Sequence, residues 1–388
     1  MRIKNRFANL LILIDHSGII RIIFVLNMNQ LVQEIVEKLQ VVIEPDSGRS
    51  IVQLRMIRDI RLENGQFHFK IYLPSASYKH KDSLYAEIHE VLGKFFPDLE
   101  LHAHFVNQLP MTDAPNTNFP NISNFIAVGS GKGGVGKSSI SAFLAIALKT
   151  AGYKVGLLDA DLYGPSIPTM FGIRDLKPKV LESDGKHKMQ PIDVNGISII
   201  SLGNIIDPEQ AVVLRGPRLA AIIKQFFFDT LWPELDYLII DLPPGTGDVQ
   251  LTLVQTIPLT GVVMVTTPQE IAYIDAVKAA NMFTLDQIKV PILGVIENMS
   301  WFEPDDMPGK KYFIFGEGAG QRLAEKTHSS LLGQIPIKQG MRQSFDIGQA
   351  FQLDSYYSEL FKTIILKLKE KIDIRNLIYA PSQVVQAN

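Results

Sequence analysis

Hydrophobic and polar positions along the 388-residue chain fall into two successive patterns. In the first, Leu31, Ile35, Val36 and Leu39 recur at helical spacing after Met28 and predict a helix over 29–40. A turn-rich stretch, Glu44-Pro45-Asp46-Ser47-Gly48-Arg49, follows it. Two alternating runs come next, Ile51–Leu62 and Phe67–Leu73, separated by Glu63-Asn64-Gly65. An Asn-Gly pair between alternating runs is a hairpin signal, because both residues tolerate the positive φ of a tight turn. A helix over Lys81–Phe96 and a strand at Leu101–Val106 complete a small α+β domain, residues 28–107. Gln108–Ser123, with three prolines and three asparagines, reads as a linker.

From 124 to 388 the pattern changes. Near-continuous apolar runs at Phe125–Val128, Val155–Leu158, Tyr237–Ile240, Gly261–Val265 and Ile292–Val295 alternate with helical segments. Strands without alternation are buried on both faces, so this half is an α/β domain with a mostly parallel sheet. Near the end, Tyr357, Leu360, Phe361, Ile364, Ile365, Leu368 and Ile372 form an apolar stripe with Lys362, Lys367 and Lys369 off it. That is the pattern of a last helix docking on the sheet.

The first 27 residues carry two apolar runs, Leu10–Ile14 and Ile19–Leu26, split by Asp15 and His16. Both are shorter than the roughly 20 residues a bilayer-spanning helix needs. Residues 1–27 are read as an upstream extension with Met28 as the start, and no transmembrane segment is expected. A formal charge of -2 gives no electrostatic case for nucleic acid. Cys 0 has the widest reach, since it excludes disulfides, a thiol nucleophile, a thiolate zinc site and a cysteine-ligated cluster within this chain.

The chemistry concentrates after the first strand of the second half. Gly131-Lys132-Gly133-Gly134-Val135-Gly136-Lys137-Ser138 satisfies G-x-x-x-x-G-K-[ST], and Ser139 and the Ile140–Leu148 helix follow. In such a loop the backbone N–H groups and the helix N-terminus converge on phosphate oxygens. Lys137 places a charge at the β/γ-phosphates of ATP, and the Ser138 hydroxyl is a Mg²⁺ ligand. The fold class is therefore a P-loop NTPase. Two strand ends add carboxylates. Val155–Leu158 runs into Asp159 and Asp161, which alternation points the same way, toward the phosphates. Asp161 is the candidate for positioning the attacking water, with Asp159 near Mg²⁺. Leu238-Ile239-Ile240-Asp241 has the Walker B form, with Asp241 a further Mg²⁺ candidate, and Pro243-Pro244-Gly245-Thr246-Gly247-Asp248 after it is a candidate switch.

Gly-Lys-Gly-Gly-Val-Gly-Lys-Ser resembles the altered Walker A motif of dimeric ATPases such as MinD, ParA and the nitrogenase iron protein. The resemblance implies that Lys132 reaches across a homodimer into the partner's nucleotide, in the manner of an arginine finger. It also implies that Pro268, in Thr267-Pro268-Gln269-Glu270, and Asn298 frame the adenine. Further motifs narrow the match. Leu158-Asp-Ala-Asp-Leu-Tyr-Gly-Pro-Ser-Ile-Pro168, Leu214-Arg215-Gly216-Pro217, Glu297-Asn-Met-Ser300 and Ile314-Phe-Gly-Glu-Gly318 together resemble the Mrp/ApbC family of iron–sulfur cluster carriers. That family implies a cytoplasmic ATPase passing clusters between scaffold proteins and apoprotein clients, with residues 29–106 as its small preceding domain.

The sequence departs from the family where its members often carry Cys-x-x-Cys. The matching positions here read as Glu303 and Asp306, and the small domain has Ser75-Ala76-Ser77 where relatives often place a cysteine. Carboxylates do not replace thiolates on an iron–sulfur cluster. Either a partner's thiolates hold most of the cluster, or the chain keeps the ATP switch with other cargo, as a MinD- or ParA-like positioning protein does. Elsewhere, His102-Ala-His104 puts two imidazoles on one strand face, a metal pair without a third ligand nearby in sequence.

Overall fold

The computed structural model describes residues 32–378 except 33, 47, 53, 55, 64–65, 74–77, 98–99, 107–118, 120, 162–163, 184, 206–215, 286–287, 305, 308 and 353–354. The 1–27 extension, the start of the 29–40 helix, most of the 108–123 segment, Ser75-Ala76-Ser77 and Leu214-Arg215 lie outside the described residues. The chain divides into two units, one drawn from residues up to 114 together with 373–380, the other from 115–372.

In the small unit, helix α1 (residues 34–39) precedes a two-stranded pair, β1 (Ile43–Glu44) and β2 (Arg49–Ser50). The predicted hairpin strands, β3 (Ile57–Glu63) and β4 (Gln66–Tyr72), pair antiparallel up to Glu63 opposite Gln66. The Ile51–Leu62 run is strand only from Ile57. Ile51 and Val52 are buried in a turn closed by Leu54 N–H to Ser50 O and Met56 N–H to Ile51 O, so their apolar character marks burial and not a pleat. Helix α2 (Lys81–Phe95) follows, and β5 (Glu100–Val106) then pairs parallel to β4. Phe67, Phe69, Ile71, Leu84, Ile88 and Leu92 share one core, which Ile374 joins.

The large unit is built on an eight-stranded sheet. Its elements, in chain order, are β6 (Ile122–Ser130), α3 (Lys137–Thr150), β7 (Val155–Asp159), α4 (Ile167–Met170), and a separate hairpin of β8 (Lys179–Ser183) and β9 (Lys186–Gln190). Next come β10 (Ile192–Val194), β11 (Ile197–Ser201), α5 (Gly216–Asp229), β12 (Leu235–Asp241), α6 (Asp248–Thr256), β13 (Gly261–Thr266) and α7 (Glu270–Phe283). The last are β14 (Ile292–Phe302), α8 (Ala319–Lys326), β15 (Leu331–Ile337), α9 (Gln339–Asp346) and α10 (Ser355–Ile378), the last of which belongs to this unit up to Ile372. The strand order is β10-β11-β7-β12-β6-β13-β14-β15, parallel throughout except for the antiparallel edge strand β10. β6 starts at Ile122, so the last two residues of the 108–123 segment belong to the sheet.

Both sheet faces are covered. Along β6, Phe125 and Ala127 enter a core with Ala276, Ala279, Ala280 and Phe283 of α7, while Ile126 and Val128 enter one with α3 and α10. On that second face Phe143 lies 4.6 Å from Phe361 and 4.8 Å from Phe345, ring centre to ring centre. The apolar stripe of the last helix thus docks as predicted, and truncating Phe143 would cost on the order of 3–5 kcal/mol.

Candidate functional site

The glycine-rich loop leaves the carboxyl end of β6, at the centre of the sheet, and ends at the first residue of α3. Two glycines are dictated by geometry. A methyl group on Gly131 would lie 2.1 Å from the Asp275 carbonyl carbon on α7, so the loop can pass the helix only without a side chain. Gly136 caps α3 with φ 82°, and a methyl there would stand 2.2 Å from Asn298 Nδ2. Asn298 is buried, and its Nδ2 donates to the Val135 carbonyl at 2.9 Å. The far end of β14 thereby fixes the loop.

Beneath the loop the predicted polar residues converge. Lys137 Nζ lies 2.7 Å from Asp241 Oδ1 and 3.6 Å from Asp161 Oδ2, and it donates to Ser138 Oγ at 3.3 Å. Ser138 Oγ donates to Asp241 Oδ2 at 2.6 Å. Asp241 ends β12 in register with Asp159 at the end of β7, which brings two carboxylates side by side. Both are wholly buried, and Asp161 is nearly so. Asp159 Oδ2 accepts from Ser201 Oγ at 2.8 Å, and its Oδ1 accepts the Asp161 N–H at 3.2 Å. Burial first, and then the charge of Asp241, push the Asp159 carboxyl up to about 8. Burial also raises Asp161, against the pull of Lys137. Asp161 Oδ1 is buried without a hydrogen-bond partner among the described residues, an acceptor left open within the cluster.

Two serines here were not read from the sequence. Ser141 Oγ donates to Asp241 Oδ1 at 2.7 Å and is wholly buried. Its signal was available, because it stands one helical turn past Lys137 and Ser138 on the same face of α3. Ser201 ends β11, a strand the sequence reading did not identify, so nothing placed it beside Asp159.

The remaining expected residues are more dispersed. The Lys132 side chain is half-buried and has no carboxylate partner among the described residues; its carbonyl accepts from Ser130 Oγ at 3.0 Å. Pro268 is buried two residues past the end of β13. Glu303 and Asp306 do not form a ligand set. Glu303 Oε1 accepts the Gly309 N–H at 3.1 Å and lies 3.7 Å from Lys338 Nζ, while Asp306 is exposed. No three His, Asp or Glu side chains among the described residues are arranged around a metal position. The site therefore does not fit a cluster held by this chain. It does fit a magnesium nucleotide: a glycine-rich loop, one buried ammonium, and a serine and two aspartates beside it.

Strand, glycine loop and helix, with the acids of two neighbouring strands beneath, define a P-loop NTPase. Residues 121–372 match the model of the ParA family, NUBPL iron-transfer P-loop NTPase, and residues 32–97 match that of an iron–sulfur cluster assembly protein family. The chain belongs to the iron-transfer P-loop NTPase family. It is 41% identical over 332 residues to the iron-sulfur cluster carrier protein of Salmonella typhimurium, covering 84% of this chain and 88% of that one. It is 37% identical over 343 residues to the carrier protein of Synechocystis, covering 86% and 96%. Among solved structures, a nucleotide-binding protein from Archaeoglobus fulgidus in complex with ADP is 38% identical, with a TM-score of 0.53 over 62% of this chain and 93% of that one.

Proposed function

We propose that the chain is a slow ATPase that works as an ATP-switched homodimer and passes iron–sulfur clusters to apoproteins in the cytoplasm. The observation that carries the nucleotide half is the convergence of Lys137, Ser138, Asp161 and Asp241 beneath the loop. In this reading the N–H groups of Gly131, Gly133, Gly134, Val135, Gly136 and Ser139 hold the phosphates, and Lys137 leaves Asp241 to neutralise the γ-phosphate. Ser138, Asp159 and Asp241 would hold Mg²⁺, which supplies charge neutralisation at the β- and γ-oxygens. Asp161, with its open oxygen, orients the attacking water. Asn298 and Pro268 flank the adenine. Lys132 supplies the charge missing from the partner subunit's site, and loss of the γ-phosphate relaxes the segment after Asp241.

The cluster half rests on the relatives, with the cluster as cargo and not as a resident group. Since this chain has no thiolate, the client or scaffold provides the ligands. Paired variants test the switch. Lys137→Ala abolishes nucleotide binding by calorimetry, whereas Lys132→Ala keeps binding and loses hydrolysis together with ATP-dependent dimerisation. Normal turnover by Lys132→Ala would refute the cross-dimer role. The lack of cysteine favours a second reading, a positioning switch with other cargo, and ATP-dependent pelleting with liposomes would support it.

A further inference from the structure

The outer face of the small unit's sheet gathers three imidazoles that nucleotide chemistry does not use. β4 and β5 run parallel with His68 opposite His102, and side-chain alternation places His104 on the same face. The His68 and His102 rings stack 4.9 Å apart at 14°, and the His68 and His104 rings lie 6.4 Å apart at 10°. The opposite face of β4 carries Phe67, Phe69 and Ile71 into the core, so the histidines are not needed for packing. Strand pairing thus supplies the third ring that the spacing of His102 and His104 lacked. His102 Nε2 is buried and makes no hydrogen bond among the described residues, with Glu100 Oε1 standing 3.4 Å from it. A buried ring nitrogen that makes no hydrogen bond keeps a lone pair or a proton available.

From this juxtaposition we infer that His68, His102 and His104, with Glu100, form a binding site for a transition-metal cation of the zinc, nickel or copper(II) class. Imidazole nitrogens suit these ions, whereas magnesium and calcium take oxygen ligands. As they lie, the rings are stacked and not convergent, and no three such side chains among the described residues already surround one point. His104 is exposed and His68 half-buried, which leaves both free to turn about χ1 and χ2 toward His102. The metal closes the site as it binds.

The test is zinc chloride titrated into the full chain without nucleotide, followed by calorimetry, with the visible absorption of cobalt(II) as a second readout. We expect one zinc per chain to be lost or weakened roughly tenfold or more in both His68→Ala and His102→Ala. The same zinc should persist in Lys137→Ala, and all histidine variants should bind nucleotide normally. His104→Gln, at an exposed position, guards against a folding defect and should weaken zinc as well. Zinc affinity indifferent to the histidine substitutions, absent from the wild type, or lost only in Asp241→Asn would overturn the inference.

Discussion

The Lys137 ammonium and the Asp241 carboxylate are 2.7 Å apart, both buried, and the Ser138 and Ser141 hydroxyls donate to the same carboxylate. Asp241 is the nearer of the two carboxylates that compensate the lysine charge, with Asp161 at 3.6 Å. Removing one member of a buried pair leaves the other uncompensated and costs about 3 kcal/mol or more. Lys137→Ala is therefore expected to do two things: abolish nucleotide binding and lower the stability of the nucleotide-free protein by about that amount in urea unfolding. A variant that loses binding at full stability would mean that the pair is not formed in solution.

Asp159 makes stability depend on pH in an unusual direction. Burial and the neighbouring Asp241 raise its carboxyl from its ordinary 3.8 to about 8. Between those two values the folded chain holds a proton that the unfolded chain has released, so stability falls as pH rises through that window. Nucleotide-free protein should be more stable at the acidic end of the window than near its upper end, and Asp159→Asn should flatten the slope. Identical slopes for wild type and variant would show that Asp159 is ionised throughout.

The loop glycines should differ sharply in their tolerance of a methyl group. At Gly131 the new atom would meet the backbone of Asp275 at 2.1 Å, where nothing can yield cheaply. At Gly133 nothing lies within 4 Å. Gly131→Ala should destabilise the large unit by about 3 kcal/mol or more, while Gly133→Ala stays within about 1 kcal/mol of wild type. Thermal unfolding of the two proteins side by side decides it, and equal losses would mean that α7 does not press on the loop.

The loop and its acids were legible because each depends on local pattern: apolar strands ending in Gly131–Ser138, in Asp159 and in Asp241. The fold class followed from the same strands. What escaped was of three kinds. β15 contains Gly333 and Pro336, which argue against a strand, yet it lies at the sheet edge where a missing N–H is tolerated. β11 is a short run that its neighbours β10 and β7 make into a strand, and with it went Ser201. Ile51 and Val52 failed the other way, since a buried turn and a pleated strand present the same apolar letters. The contact of Asn298 with Val135 joins residues 163 positions apart, and only the assembled sheet reveals it.

The segment after β14 carries the last prediction. The Gly309 N–H and, less strongly, Lys338 hold the Glu303 carboxyl below the usual range, so its charge is already committed to closing this loop. Trp301 is similarly engaged, with the Lys311 ammonium 3.9 Å from the ring centre. Asp306 is exposed. Hard carboxylate oxygens so arranged cannot take the place of two thiolates. After anaerobic reconstitution with iron and sulfide and removal of excess reagent, the chain by itself should keep no cluster. Glu303→Ala should leave iron and sulfide content unchanged, with at most a loss of loop stability on the alkaline side of the glutamate titration, where the carboxylate is charged. A brown, oxygen-sensitive chromophore should form only when a thiol-bearing apoprotein or scaffold is present. If the isolated chain retains iron and sulfide and Glu303→Ala releases them, the carboxylates are ligands after all, and the assignment of all cluster ligands to the partner fails.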